Sequence, residues 1–168
     1  MKKKSHLILY GLLGFIVLLI GIQVASSSSS SPQAEAVGSG SLRVSEQRWN
    51  IGDVPMSGGI STKQITLTND SSAPVEITNL QTSCMCTTAQ LVHADGSKSG
   101  LKGMVGHGGS SSLSETIAPG EEAQLLVRFD PNAHGPSGVG PITRDVVLET
   151  NSASQSKITL TFTGNVIK

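Results

Sequence analysis

The sequence predicts an all-β protein, an immunoglobulin-like antiparallel β-sandwich of about seven strands preceded by one N-terminal transmembrane helix. Beyond residue 41, apolar residues recur at every second position within several short segments, and no segment shows a helical stripe. Alternation of this kind is typical of strands with one buried face. Clusters of Gly, Pro, Asn, Asp and Ser separate the alternating segments, as expected for short strands joined by turns. Residues 42–168 are enough for one domain with a single core.

Seven segments carry the alternating pattern. They are residues 42–44, 48–54, 60–68, 75–80, 123–129, 142–150 and 157–166. The last shows it best, because Ile158, Leu160 and Phe162 alternate with threonines. Aromatic residues are scarce after residue 41, so the core is expected to consist mainly of Val, Ile and Leu, with Trp49 and Phe162 among its members.

The N-terminus predicts a membrane segment. Three lysines at positions 2–4 precede an almost entirely apolar run over residues 7–25, close to the roughly 20 residues that a membrane-spanning helix needs. Lysines before such a helix stay in the cytoplasm, so the domain that follows is expected outside the cytoplasm, at the cell membrane. A cleaved signal peptide, with a secreted domain, is the alternative. Residues 1–25 are therefore interpreted as an anchor or signal segment.

A serine-rich linker follows the apolar run. Residues 26–41 include six consecutive serines and then Pro, Gln, Ala, Glu and Gly. Such a composition buries too little apolar surface to fold by itself. The linker is expected to tether the domain at residues 42–168 close to the membrane.

Charge and motif content exclude several classes of function. The chain has 12 basic and 12 acidic residues, and no basic patch with interleaved aromatics, so nucleic acid is not an expected partner. The sequence shows no nucleophile elbow, paired carboxylates or phosphate-binding loop. We therefore do not expect an enzyme, and no catalytic residue or organic cofactor is assigned.

The two cysteines of the chain, Cys84 and Cys86, are separated by a single residue, Met85. Thiolates are strong ligands for soft metal ions and can also exchange with disulfides. On a regular strand Cys84 and Cys86 would share one face, and Met85 would point into the core. A Cys84–Cys86 disulfide would be strained and easily reduced, and remains open.

Two glycine-rich loops carry further candidate ligands. Residues 94–114 lack strand character and contain Met104 and His107, whereas residues 130–141 contain His134. Thiolate, thioether and imidazole together favour copper over hard cations. Metal ligands are therefore predicted at Cys84, Cys86, His107, His134 and Met104. The remaining candidate, His93, is expected to be a solvated loop histidine.

The domain resembles a bacterial family of immunoglobulin-like domains of unknown function, related to PapD-like and Hydin-like sandwiches. The resemblance covers nearly all of residues 49–166, and its most specific part is the Cys-x-Cys within its Ser and Thr frame at residues 83–89. The other matching segments are residues 49–54, 67–70, 74–77, 117–121, 127–130, 148–151 and 160–164. The resemblance implies the fold and an exported location but no activity. Family members usually have glycine where this chain has Met85.

Two hypotheses follow from these observations. In the first, a membrane-tethered sandwich binds copper through Cys84, Cys86 and His107, with His134 and Met104 as further ligands, and handles or delivers the metal outside the cytoplasm. In the second, the domain is an interaction module of the cell envelope, which binds an exported protein through strand edges and contains a local Cys84–Cys86 disulfide. Histidines in both glycine-rich loops favour the first hypothesis.

Overall fold

The computed structural model describes residues 38–107 and 110–168; the predicted membrane segment and most of the linker lie outside them. The described residues form nine β-strands in two sheets, which confirms the predicted sandwich. The strands are β1 (Arg43–Val44), β2 (Arg48–Pro55), β3 (Ser61–Thr68), β4 (Val75–Thr82), β5 (Thr87–His93), β6 (Ser112–Ile117), β7 (Glu122–Phe129), β8 (Gly140–Thr150) and β9 (Lys157–Ile167). Short 3-10 turns occupy Met56–Gly58 and Gly135–Gly138. No helix within the described ranges is long and apolar enough to cross a membrane.

One sheet has the strand order β1-β3-β7-β5 and the other β2-β9-β8-β4-β6. All neighbours are antiparallel except β2 and β9, which pair in parallel. The sequence pattern did not distinguish this parallel pair, because alternation has the same period in both orientations. The β2–β9 register shifts between Asn50 and Asp53, where Gly52 has φ 71°, a conformation that glycine adopts without a steric penalty.

The core lies between the two sheets. Phe162 is 1% exposed and stacks on Trp49 with ring centroids 5.3 Å apart, while the edge of Phe129 meets it at 5.6 Å. Apart from Cys86, the rest of the hydrophobic core is aliphatic, as expected from the composition. Its fully buried members include Ile65, Leu67, Ile77, Leu80, Leu91, Leu125, Val146, Leu148 and Leu160.

The sequence pattern missed two strands, β5 and β6, on either side of the 94–111 connection. Strand β5 alternates buried and half-buried positions, but Thr, Ala and Gln dilute its apolar signal. In β6 only Ile117 is buried, so residues 112–114 of the supposed loop belong to a polar edge strand. Isolated bridges at Val92–Lys98 and Ala89–Lys102 also place the start of the connection along the free edge of β5.

The last linker residues contact the sandwich. Gly38 forms a parallel bridge with Ser152, and the Ser152 hydroxyl donates to the carbonyl oxygen of Gly40. A Cβ atom at Gly40 would lie 2.5 Å from a methyl group of Val75. This close approach requires glycine at position 40.

Candidate metal centre

Cys84 and Cys86 lie in the tight turn between β4 and β5. The Thr87 amide donates to the carbonyl oxygen of Cys84 at 3.0 Å, which closes a four-residue turn with Met85 at its tip. Cys86 is 3% exposed, Cys84 is half-buried and Met85 is 50% exposed. The expectation that Met85 would pack in the core was therefore wrong, because these residues form a turn rather than a strand.

Neighbouring strands hold the turn in place. Ser83 accepts the Asp145 amide on its hydroxyl at 2.9 Å and donates its own amide to the Asp145 carbonyl at 3.0 Å. On the other side, the Asp130 amide donates to the Cys86 carbonyl at 2.8 Å. The cysteine backbone is thus hydrogen-bonded to both sheets.

The β7–β8 loop brings His134 to the same place. This loop begins with an Asx turn, in which Asp130 Oδ1 accepts the Asn132 amide at 2.9 Å. His134 immediately precedes the second 3-10 turn, and its carbonyl oxygen accepts the Ser137 hydroxyl at 2.8 Å. Its Nε2 atom lies 3.1 Å from Sγ of Cys84.

These three side chains form one cluster. One potential ligand atom from each of Cys84, Cys86 and His134 lies within 4.8 Å of the other two. Metal–sulfur and metal–nitrogen bonds measure about 2.0–2.3 Å, so a single ion fits among them after small side-chain rotations. Both cysteines are free thiols, and the exposed side chain of His134 leaves the cluster open to solvent on one side.

The other predicted ligands are placed differently. The Thr82 amide donates to the Gly103 carbonyl at 3.3 Å. The next residue, half-buried Met104, therefore lies at the edge of the cysteine turn. His107 is exposed and is not part of the cluster found among the described residues. His93 is not simply solvated as expected, since its Nε2 lies 2.8 Å from a carboxylate oxygen of Glu115.

The two thiols have different electrostatic environments. Burial raises the pKa of Cys84, but hydrogen bonds from the Cys86 thiol and amide and from His134, together with the Arg144 charge, lower it to about 7. Burial and the hydrogen bond with Cys84 raise the pKa of Cys86. The half-buried thiol therefore ionises first, and Cys86 acts as its hydrogen-bond donor.

Sequence reasoning missed Arg144. Its Nε atom donates to Sγ of Cys86 at 3.2 Å. On β8, Arg144 lies in the inward-facing row between the buried residues Ile142 and Val146. The sequence did contain a sign of this contact, namely a charged residue in a row of apolar strand positions. Arginine is rarely directed toward a core without a partner.

Comparison with known proteins establishes the relatives of this domain. The model of the HYDIN/CFA65/VesB-like Ig-like domain family matches residues 40–165, which confirms the Hydin-like resemblance. A search of curated protein sequences finds no match. A Porphyromonas gingivalis W83 protein of unknown function is similar in structure, with TM-score 0.56 and 16% identity over 81% of this chain. This chain spans about half (51%) of that protein, and the likeness shows the fold alone.

Two further solved structures are similar at lower scores. The seventh PapD-like domain of human CEP192 has TM-score 0.47 and 13% identity, over 85% of this chain and 96% of that one. The VesB protease of Vibrio cholerae has TM-score 0.45 and 15% identity, over 74% of this chain and 31% of that one.

Proposed function

We propose that this chain, which belongs to the HYDIN/CFA65/VesB-like family of Ig-like domains, binds copper through Cys84, Cys86 and His134 and handles the metal outside the cytoplasm. The observation that carries the proposal is the meeting of two sulfur atoms and one imidazole nitrogen within 4.8 Å, from two separate loops. The hydrogen-bonded cysteine turn and the β7–β8 loop, which begins with an Asx turn, hold these ligands on the sandwich.

The chemistry of the ligands favours copper. Two thiolates and an imidazole form a soft donor set that suits Cu(I). Within the described part of the chain, no Asp or Glu belongs to the cluster, so a hard cation lacks the oxygen ligands that it prefers. Met104, at the edge of the turn, could supply a further soft ligand after a local movement of its loop.

The open side of the cluster supports a role in metal transfer. His134 is exposed, and Met85 presents an apolar side chain beside the cysteines. A protein that receives the ion needs access to the metal for ligand exchange. We therefore propose an exported protein partner at this end of the sandwich, with residues 7–25 as the membrane anchor.

A copper(I) titration of the reduced full-length protein in detergent tests the proposed function. We expect stoichiometric binding in competition with a chromophoric chelator. A Cys84→Ser, Cys86→Ser double variant is expected to lose it, and His134→Ala to weaken it. His107→Ala is the matched control, because it removes an exposed loop histidine outside the cluster. Absence of binding by the wild type would refute the proposal and favour an interaction module instead.

Fractionation tests the proposed location. The full chain is expected to remain in the membrane pellet after alkaline extraction, whereas deletion of residues 2–25 is expected to prevent export. Recovery of a shortened, soluble extracytoplasmic chain would instead identify the N-terminal segment as a cleaved signal peptide.

A further inference from the structure

Arg144 is a positive charge directed at the sulfur atoms of the cluster. Its Nε donates to Cys86 Sγ at 3.2 Å, and its Nη1 donates to the carbonyl oxygen of Thr143 at 2.8 Å. The side chain belongs to the core-facing row of β8 and is only partly exposed. Partial burial of a guanidinium favours a counter-charge nearby, because burying an unpaired charge is unfavourable.

The sulfur atoms supply that counter-charge. Within residues 38–107 and 110–168, Arg144 forms no ion pair with a carboxylate. The adjacent Asp145 points to the opposite face of the strand and accepts the Thr161 hydroxyl at 2.7 Å. The atom in contact with Arg144 is Cys86 Sγ, and its counter-charge is the negative charge of this cysteine pair, whether the pair is free or bound to a metal.

We infer that Arg144 makes this centre selective for a monovalent soft cation, Cu(I), over a divalent one such as Zn(II). The inference rests on the proposed function. Two thiolates and a neutral imidazole carry two negative charges, so Cu(I) leaves one, which the guanidinium neutralises. A divalent ion in the same ligands would leave the half-buried Arg144 charge unbalanced. Among the His, Cys, Asp and Glu side chains of the described residues, the cluster has three ligands, one fewer than structural zinc sites almost always have.

The ratio of the two affinities isolates this effect. Arg144 stabilises the thiolates relative to the thiols, and this effect raises the affinities for Cu(I) and Zn(II) by the same factor. Its direct repulsion is twice as strong for a divalent ion as for a monovalent ion. Loss of the charge must therefore raise the affinity for Zn(II) relative to Cu(I), whatever happens to each separately.

The experiment measures the Cu(I) and Zn(II) dissociation constants of the reduced full-length protein, each by competition with a chromophoric chelator. Arg144→Gln removes the charge and keeps an N–H donor, whereas Arg144→Lys keeps the charge. Arg43→Gln is the control, since it removes an arginine that pairs with Asp70. Arg43 lies opposite Thr68, at the end of β3 that is remote from the metal cluster. We expect the Cu(I)/Zn(II) affinity ratio to fall about tenfold or more in Arg144→Gln, and to stay near the wild-type ratio in Arg144→Lys and Arg43→Gln.

An unchanged ratio in Arg144→Gln, with both ions still bound, would overturn the selectivity role and leave the metal centre intact. An equal fall in Arg144→Lys would overturn it too, by showing that guanidinium shape rather than charge matters. If Arg144→Gln does not fold, Arg144→Met, which also removes the charge and keeps an unbranched side chain, takes its place with the same expected fall and the same overturning result. Failure of the wild type to bind Cu(I) would refute the proposed function itself.

Discussion

Cys84 Sγ and His134 Nε2 lie 3.1 Å apart, although 50 positions separate the two residues in the sequence. The register of the sheet brings them together. Thr87 at the start of β5 pairs with Phe129 at the end of β7. The cysteine turn and the histidine loop therefore leave the sheet side by side.

Loss of His134 is expected to weaken metal binding selectively. His134→Ala removes one of three clustered ligand atoms, so we expect Cu(I) affinity to fall by about 10–100-fold, by analogy with the loss of groups that support a metal site. Chelator competition measures the change. His93→Ala and His107→Ala should bind as the wild type does, and an equal loss in either control would contradict the assignment of His134.

The reactivity of Cys84 is expected to follow its lowered pKa. Because the thiolate is the nucleophile, the alkylation rate of Cys84 should rise with pH around a midpoint of about 7. Buried Cys86, whose pKa is raised, should react slowly throughout this range. Tandem mass spectrometry after iodoacetamide pulses separates the two sites.

Removal of the His134 hydrogen bond is expected to shift that midpoint upward. In His134→Ala the Cys84 thiolate loses one of the interactions that lower its pKa, so alkylation should require higher pH than in the wild type. A wild-type midpoint at the ordinary thiol value of 9.0 would contradict the described hydrogen bonding.

Met85→Gly is expected to leave both folding and binding nearly unchanged. Met85 occupies the tip of the turn and is 50% exposed, so its side chain contributes little buried surface to the fold. The free energy of unfolding should change by less than about 1 kcal/mol, as measured in urea. A large fall in Cu(I) affinity would show instead that the Met85 thioether is a ligand.

Asn69→Ala is expected to destabilise the fold. This fully buried amide donates to the carbonyl oxygens of Ala73 and Ile117 at 2.9 and 2.8 Å. Removal leaves buried acceptors unpaired, which costs about 1–3 kcal/mol. Urea unfolding, followed by circular dichroism, measures the loss in the free energy of unfolding. Asn165→Ala, which removes an exposed hydrogen bond, is the control. Equal effects in both variants would argue against the buried role of Asn69.

Phe162→Ala is expected to cause the larger loss of stability, about 3–5 kcal/mol. The ring is 1% exposed and contacts both Trp49 and Phe129, so its removal leaves a cavity between the sheets. Leu101→Ala, at a residue that is 54% exposed, should stay within about 0.5 kcal/mol of the wild type. A mild effect of Phe162→Ala would show that the core closes around the missing ring.

The alternating pattern predicted most of the sandwich because a half-buried strand leaves a local signal of period two. Strands β5 and β6 were missed, since Thr87–His93 contains Ala and Gln and Ser112–Ile117 is mostly polar. Their strand character depends on pairing with β7 and β4 rather than on their own composition. Tertiary contacts decide such segments.

The sequence by itself determined the fold class and drew attention to Cys84, Cys86 and both glycine-rich loops. Only the tertiary structure decided that His134 joins the cysteines, that His107 lies outside their cluster and that Arg144 donates to Cys86. Strand alternation and ligand type are local properties of the chain. Proximity of residues in different loops depends instead on strand lengths and registers across both sheets, which no short stretch of sequence specifies.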